Sequence, residues 1–189
     1  MLATAQLNDY IRPLSVHEYQ KMAQVGILNE DDHIELINGR LIKMAQIGFE
    51  HSGIVNYLNY VFYAALHKKA IVHIQSSILL NKDYMPEPDI VLANYRDDFY
   101  RSRYINPKDI LLIVEVSNSS FKYDSEIKIP VYAQFSIPEV WIVDVNTQRL
   151  IRHSNPVSGI YKTIQSLENL EAISLTMLPE VTLNLTNLF

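Results

Sequence analysis

The sequence contains no cysteine. That excludes disulfides, thiol nucleophiles and thiolate zinc sites, and it agrees with a reducing cytosol. Nor is there an excess of positive charge: 16 Lys and Arg against 21 Asp and Glu leave a formal charge of -5. A chain with that balance is not a general polyanion binder. Any contact with nucleic acid has to come from a local basic patch, or from a bound cation that supplies positive charge where phosphate sits. Hydrophobic runs are short as well. No uninterrupted aliphatic stretch exceeds Ile110–Val114, far below the roughly 20 residues a helix needs to span a bilayer. Met1–Pro13 is polar and lacks the apolar core of a signal peptide. These absences predict a cytoplasmic protein with no membrane partner. Repeats, low-complexity tracts and Gly/Ser linkers are also missing. A chain of 189 residues suits one hydrophobic core, so a single domain over 1–189 is expected.

The residues present, 48% hydrophobic and 20% charged, argue against disorder. Ser15, with Glu18 three residues on, reads as a capping box that opens a helix with Val16, Tyr19, Met22 and Ala23 inward and Gly26 at its end. Asn38-Gly39 between His33–Ile37 and Arg40–Met44 is a strong hairpin signal, because both turn residues need positive φ. His51–Lys68 repeats apolar residues at helical spacing. Strands are expected over Ile71–Leu80, Asp89–Ala93, Ile110–Val116 and Glu139–Val145, the last two buried on both faces. Asn94–Lys108 reads as loop. Lys122–Phe135 reads as a helix capped by Asp124, with Pro130 awkwardly beyond its first turn. Arg149–His153 and Ile160–Ile164 pair around Gly159, and the tail to Phe189 gives no clear pattern. This order predicts an α/β fold with a mixed central sheet flanked by helices, plus an N-terminal helix and hairpin.

One charge interrupts the most apolar strand: Glu115, in Leu111-Leu112-Ile113-Val114-Glu115-Val116-Ser117. A carboxylate there is costly unless it is paired, coordinated or at the strand's solvent end. Asp89 opens its own strand directly after Pro88. If the strands are neighbours, both carboxylates can face one cleft, and two such oxygen ligands with water and a phosphate oxygen suit Mg2+ or Mn2+. Lys128, on the following helix, could orient water or stabilise developing charge. Each residue also has a structural reading. Asp89 can be a turn residue, Glu115 can form an ion pair with Lys128 itself, and Lys128 can be a solvated helix residue. Glu35 can project from a solvated hairpin face, and His51 can pack at the core edge. Tyr95, Tyr100 and Tyr104, interleaved with Arg96, Arg101 and Arg103, could stack on and pair with nucleic acid, or form a surface loop or dimer contact. His33, His73 and His153 show no zinc spacing.

Several pieces in order resemble one family. Glu35-Leu-Ile-Asn-Gly-Arg, His51 heading a helix, Pro88-Asp89-Ile-Val and Val114-Glu115-Val-Ser117 are followed by Asp124-Ser-Glu-Ile-Lys128-Ile-Pro-Val-Tyr132 and Ile137-Pro-Glu-Val-Trp141-Ile-Val-Asp144. From about Leu14 onward this is similar to Uma2, formerly the domain of unknown function DUF820, of the PD-(D/E)XK restriction-endonuclease-like superfamily. The resemblance implies an αβββαβ core and a metal-dependent endonuclease acting on DNA. It implies Asp89 and Glu115 as the metal-binding acids, Lys128 as the signature lysine, Glu35 as an additional acid and His51 as a neighbouring polar residue. The signature's lysine normally stands two residues after the second acid; Ser117 holds that place here, so Lys128 must reach the same point from the helix. Two other readings stay open. One is a catalytically inactive scaffold that binds nucleic acid or a protein. The other is a metal-free hydrolase on paired carboxylates, such as a glycosidase, which leaves Lys128 without a role. A homodimer would suit an enzyme that cuts both strands.

Overall fold

The computed structural model describes residues 10–189, so most of the polar Met1–Pro13 start lies outside the described residues. Helix α1 (Val16–Gln24) begins as its sequence dictates: Ser15 Oγ accepts from the Glu18 amide while Glu18 accepts from the Ser15 amide. Val16 is buried, but Ala23 at the far end of the expected stripe is exposed. Gly26, at φ 76°, follows the last turn. Strands β1 (Ile34–Ile37) and β2 (Arg40–Lys43) then form the hairpin, with Asn38 and Gly39 at φ 52° and 67°. Gly39 has a second reason to be glycine. A Cβ there would run into the Pro13 side chain and come within 2.9 Å of the Leu14 carbonyl. Gly39→Ala should therefore lower stability by about 2 kcal/mol or more, combining left-handed strain with a backbone clash. A urea melt checks this, and an unchanged midpoint would refute it.

The core elements follow in the order αβββαβ. They are α2 (Phe49–Leu66), β3 (Ala70–Ile74), β4 (Ile90–Asn94), β5 (Ile110–Ser117), a helical segment over 121–134, and β6 (Glu139–Asp144). With β7 (Arg149–Val157) and β8 (Ile160–Ser166) they make a six-stranded sheet of order β3-β4-β5-β6-β7-β8. Only β5–β6 is a parallel pair, so the sheet is mixed, as expected. One face packs on α2 and on a C-terminal hairpin, β9 (Ile173–Leu175) and β10 (Leu178–Leu183), around Leu58, Phe62, Leu112 and Trp141. The other packs on the 121–134 segment and the 95–108 loop, around Ile113, Tyr132 and Ile142. The hairpin is fastened by a buried carboxylate: Glu139 meets Arg152 at 2.8 Å and accepts from Trp141 Nε1 at 2.6 Å and from the Thr176 amide at 2.7 Å.

Two expectations need correction. The strand expected over Ile71–Leu80 stops at Ile74, because Gln75, whose amide still bonds the Asp89 carbonyl, turns to φ 41° and directs the chain after it out of the sheet. The 121–134 segment is not one regular helix capped by Asp124. It is α-helical over Phe121–Tyr123 (α3), π-helical over Asp124–Lys128 and α-helical over Ile129–Gln134 (α4). Asp124 lies inside it and binds serines instead of an amide end. The wide turn also explains Pro130: the Ile129 amide reaches back to Asp124, and proline falls in the first turn of α4, where a missing N–H costs little.

Candidate active site

Strand pairing brings the two acids together. Ile90 is opposite Val114, so one step further along the antiparallel ladder Asp89 is opposite Glu115. Opposite residues share a face, here the face of Ile113, and the pair sits at the sheet end that opens into a cleft of about 590 Å³. Among the cleft's lining residues are Glu35, His51, Glu87, Asp89, Glu115 and Lys128. All five residues singled out from sequence therefore meet in one place.

Their contacts settle several open readings. Asp89 is no free turn residue: Oδ2 accepts from the Val116 amide at 2.8 Å, and Oδ1 lies 2.9 Å from His51 Nε2. His51 thus reaches the acid from the first turn of α2, and its Nδ1 is buried with no partner. Glu35 is 1% exposed, so it does not project from a solvated hairpin. It accepts from Tyr123 Oη at 2.9 Å and from the Glu87 amide at 2.9 Å. Lys128 is 3% exposed and is no solvated helix residue. Its Nζ lies 3.0 Å from Glu115 and 3.6 Å from Glu35. Tyr132 Oη donates to the same Glu115 Oε1 at 2.5 Å. Among the described residues, Glu115 Oε2 accepts no hydrogen bond.

Burial and charge act against each other here. Burial pushes Glu115 well above the usual carboxylate range, and the Lys128 ammonium pulls it partly back. Burial also penalises the Lys128 cation, but Glu115, Glu35, Asp124 and Asp89 outweigh that cost and raise it well above an ordinary lysine. Asp124 is raised by burial, although Lys128 and the Ser117 and Ser120 hydroxyls, each at 2.7 Å, oppose the shift. Glu87 is raised by burial and by Glu35.

Tyr123, Tyr132, Glu87 and Asp124 were not found by sequence reasoning. Tyr132 stands four residues after Lys128, a spacing that shares a helix face and could have flagged it. Tyr123 stands five before, which shares a face only through the π turn. Ser117 Oγ donates to Asp124 at 2.7 Å, which ties the end of β5 to the helical segment that brings Lys128. Tyr100, by contrast, is buried in the loop between the Arg96 and Arg103 guanidiniums, 5.2 Å from each, and cannot stack on a base without rearranging.

Among the described residues, no group of three or more His, Asp or Glu side chains is arranged to hold a metal ion unaided. No helix among them is long and apolar enough to cross a membrane. A search of curated protein sequences finds no match. Among solved structures, a putative nuclease belonging to DUF820 from Anabaena variabilis ATCC 29413 superposes with a TM-score of 0.73, covering 94% of this chain and 98% of that one. At 15% identity the likeness shows the fold. The Uma2 family model, described as "Putative restriction endonuclease", matches residues 16–186, and the chain belongs to that family.

Proposed function

We propose that this protein is a metal-dependent endonuclease that hydrolyses phosphodiester bonds in DNA. The observation that carries the reading is the pair Asp89 and Glu115, opposite each other on β4 and β5 at the mouth of one cleft, with Lys128 bonded to Glu115. The family's description and the structural neighbour, a putative nuclease, point the same way. Asp89 and Glu115 would hold Mg2+ or Mn2+. The donor set fits: both are hard oxygen ligands, and a Mg2+ site typically takes one or two carboxylates and fills its remaining positions with water and substrate phosphate. Among the described residues, the buried His51 Nδ1 has no hydrogen-bond partner, so a further polar atom beside the two acids is open to a ligand.

The bound cation would supply the positive charge that polarises a phosphate oxygen. The other tasks belong to side chains. Tyr132 and Lys128 both take Oε1 of Glu115, which leaves Oε2 for coordination. His51 and the Val116 amide fix the Asp89 carboxylate. Lys128 brings an ammonium to the site of charge development, where burial makes it act more strongly than in water. A homodimer would allow both strands of a duplex to be cut.

Calorimetric titration of Mn2+ tests the metal. Binding is expected in the wild type and should vanish in Asp89→Ala/Glu115→Ala. No binding to either protein, with or without duplex DNA present, would overturn the reading.

One observation favours a second reading, an inactive scaffold that binds nucleic acid or a protein. Lys128 already pairs with Glu115 at 3.0 Å and lies 3.6 Å from Glu35, so these acids have a structural use without any metal. The charge of -5 agrees with it.

A further inference from the structure

A second concavity, of about 460 Å³, lies on the same face of the sheet, at its β3 edge. The register locates it. Gln75 donates its amide to Asp89, so Gln75, Asp89 and Glu115 form one row across the sheet end. His73, which is opposite Val91, lies in the next row of that face. Gln75 lines the acidic cleft, whereas His73 and Ser76 line the second pocket. Only the chain at 75–77 divides them.

The second pocket has the opposite chemistry. Arg101, Arg103, Ser77, Ser102 and Tyr104 are also in its wall, and among the described residues no carboxylate lines it. Arg103 is neutralised by Asp109, at 2.6 Å and 2.8 Å. Arg101 has no carboxylate partner among the described residues. Its Nε donates to the Asp98 carbonyl at 3.1 Å, and among the described residues its two terminal nitrogens make no hydrogen bond. An exposed arginine fork held by its neck, in a concavity that serines also line, suits a phosphate group.

The loop that presents Arg101 is costly to build. Phe99 and Tyr100 are consecutive non-glycine residues at φ 50° and 57°, a conformation that L side chains rarely adopt. Asp98 holds it in place by taking both Arg96 nitrogens at 2.8 Å, the Ser102 hydroxyl at 2.5 Å and the Tyr100 amide at 3.3 Å. Tyr100 Oη is tied to the Asn94 carbonyl at 2.8 Å. His73 is kept neutral by burial, which leaves it one N–H to donate.

We propose that this pocket, with Arg101 as its main cation, binds a backbone phosphate of the nucleic-acid strand whose scissile bond lies in the neighbouring acidic cleft. The pocket's ligand class rests on the phosphodiester reading above. It also answers the charge problem of a chain at -5: affinity comes from a local site beside the acids, while the acids themselves repel phosphate until a cation is bound.

The test is a fluorescence-anisotropy titration of a short fluorescein-labelled single-stranded DNA in EDTA, at low and moderate salt. The proteins are wild type, Arg101→Ala and Lys108→Ala, the last an exposed cation outside the pocket. Arg101→Ala should weaken binding about fivefold or more and reduce the salt slope by about 0.7, the value of one phosphate contact on a single strand. Lys108→Ala should change the affinity less than about twofold. Equal effects of the two substitutions, no binding by the wild type, or equal competition by poly-glutamate would each overturn the pocket. The nuclease reading fails separately. Loss of DNA binding in Arg101→Ala, with no metal-dependent cleavage by the wild type, keeps the pocket and removes the enzyme. Cleavage that needs Asp89 and Glu115 but is indifferent to Arg101 does the reverse.

Discussion

Lys128→Met should lose about 3–5 kcal/mol of stability at neutral pH, because it leaves buried carboxylates without their cation. For a chain of this length that is a fall in Tm of roughly 6–20 °C. The loss follows from how the network is shared. Glu35 keeps two other donors, Tyr123 and the Glu87 amide, whereas Glu115 keeps only Tyr132. Glu115 is therefore the main source of the penalty, and Lys128→Met/Glu115→Gln should recover more than half of it. The pH dependence has a definite sign. Burial raises Glu115 in the folded state, and removing Lys128 removes the opposing pull. The folded variant then binds a proton more readily than the unfolded chain, so its stability grows as pH falls from the raised value toward the ordinary glutamate range. The gap to wild type should thus be widest near pH 8 and narrow by pH 5, read from urea melts at both. A Lys128→Met protein within about 1 kcal/mol of wild type at pH 8 would show that the ion network contributes little.

The parts of this network differ in how legible they were. Glu115 was conspicuous because a charge in an all-apolar strand demands a partner, and Asp89 because it opens a strand after proline. Their meeting required only that β4 and β5 be neighbours. The Asn38-Gly39 turn and the Ser15–Glu18 box are local signals and the alternation of helices with strands a periodic one, and the chain obeys them; the αβββαβ order came from the family resemblance, and the elements follow it. What failed depended on a single backbone angle or on tertiary contact. Nothing in Ile71–Leu80 announces that Gln75 takes φ 41°, since Ile78 and Leu80 beyond it are buried in the same cluster as the sheet residues although they lie outside the strand. Asp124 looks like a cap because Asp often is one, but its partners are Ser120 and Ser117, the latter brought from the end of β5. The π turn is the deepest case. A single turn closed by an i→i+5 hydrogen bond leaves no period that an amphipathic pattern records, yet it puts Tyr123 and Lys128 on one side and lets Pro130 stay in the helix. The tail gave no signal because β9 and β10 are short, and Glu139, Trp141 and Arg152 of the sheet hold them.

The second large effect separates the enzyme from the scaffold. On the proposed reading, Glu115→Gln should lower metal-dependent cleavage of duplex DNA at least about 100-fold, because a ligand to a cation that stabilises transition-state charge is worth several kcal/mol and each 1.36 kcal/mol is tenfold. Its effect on stability should be smaller than that of Lys128→Met. The amide still accepts from Tyr132, and Lys128 keeps Glu35 at 3.6 Å together with Asp124 and Asp89 nearby. Glu35→Gln supplies the contrast, since it touches Lys128 but is not a proposed ligand. It should retain Mn2+ binding and lose activity only through the placement of Lys128. If the network serves structure alone, activity and stability will fall in proportion across Glu115→Gln, Glu35→Gln and Lys128→Met. If Glu115 holds the metal, its variant departs from that line, with activity and Mn2+ affinity lost together while the fold persists. Cleavage by Glu115→Gln at the wild-type rate would remove Glu115 from the chemistry and leave it an ion-pair partner of Lys128.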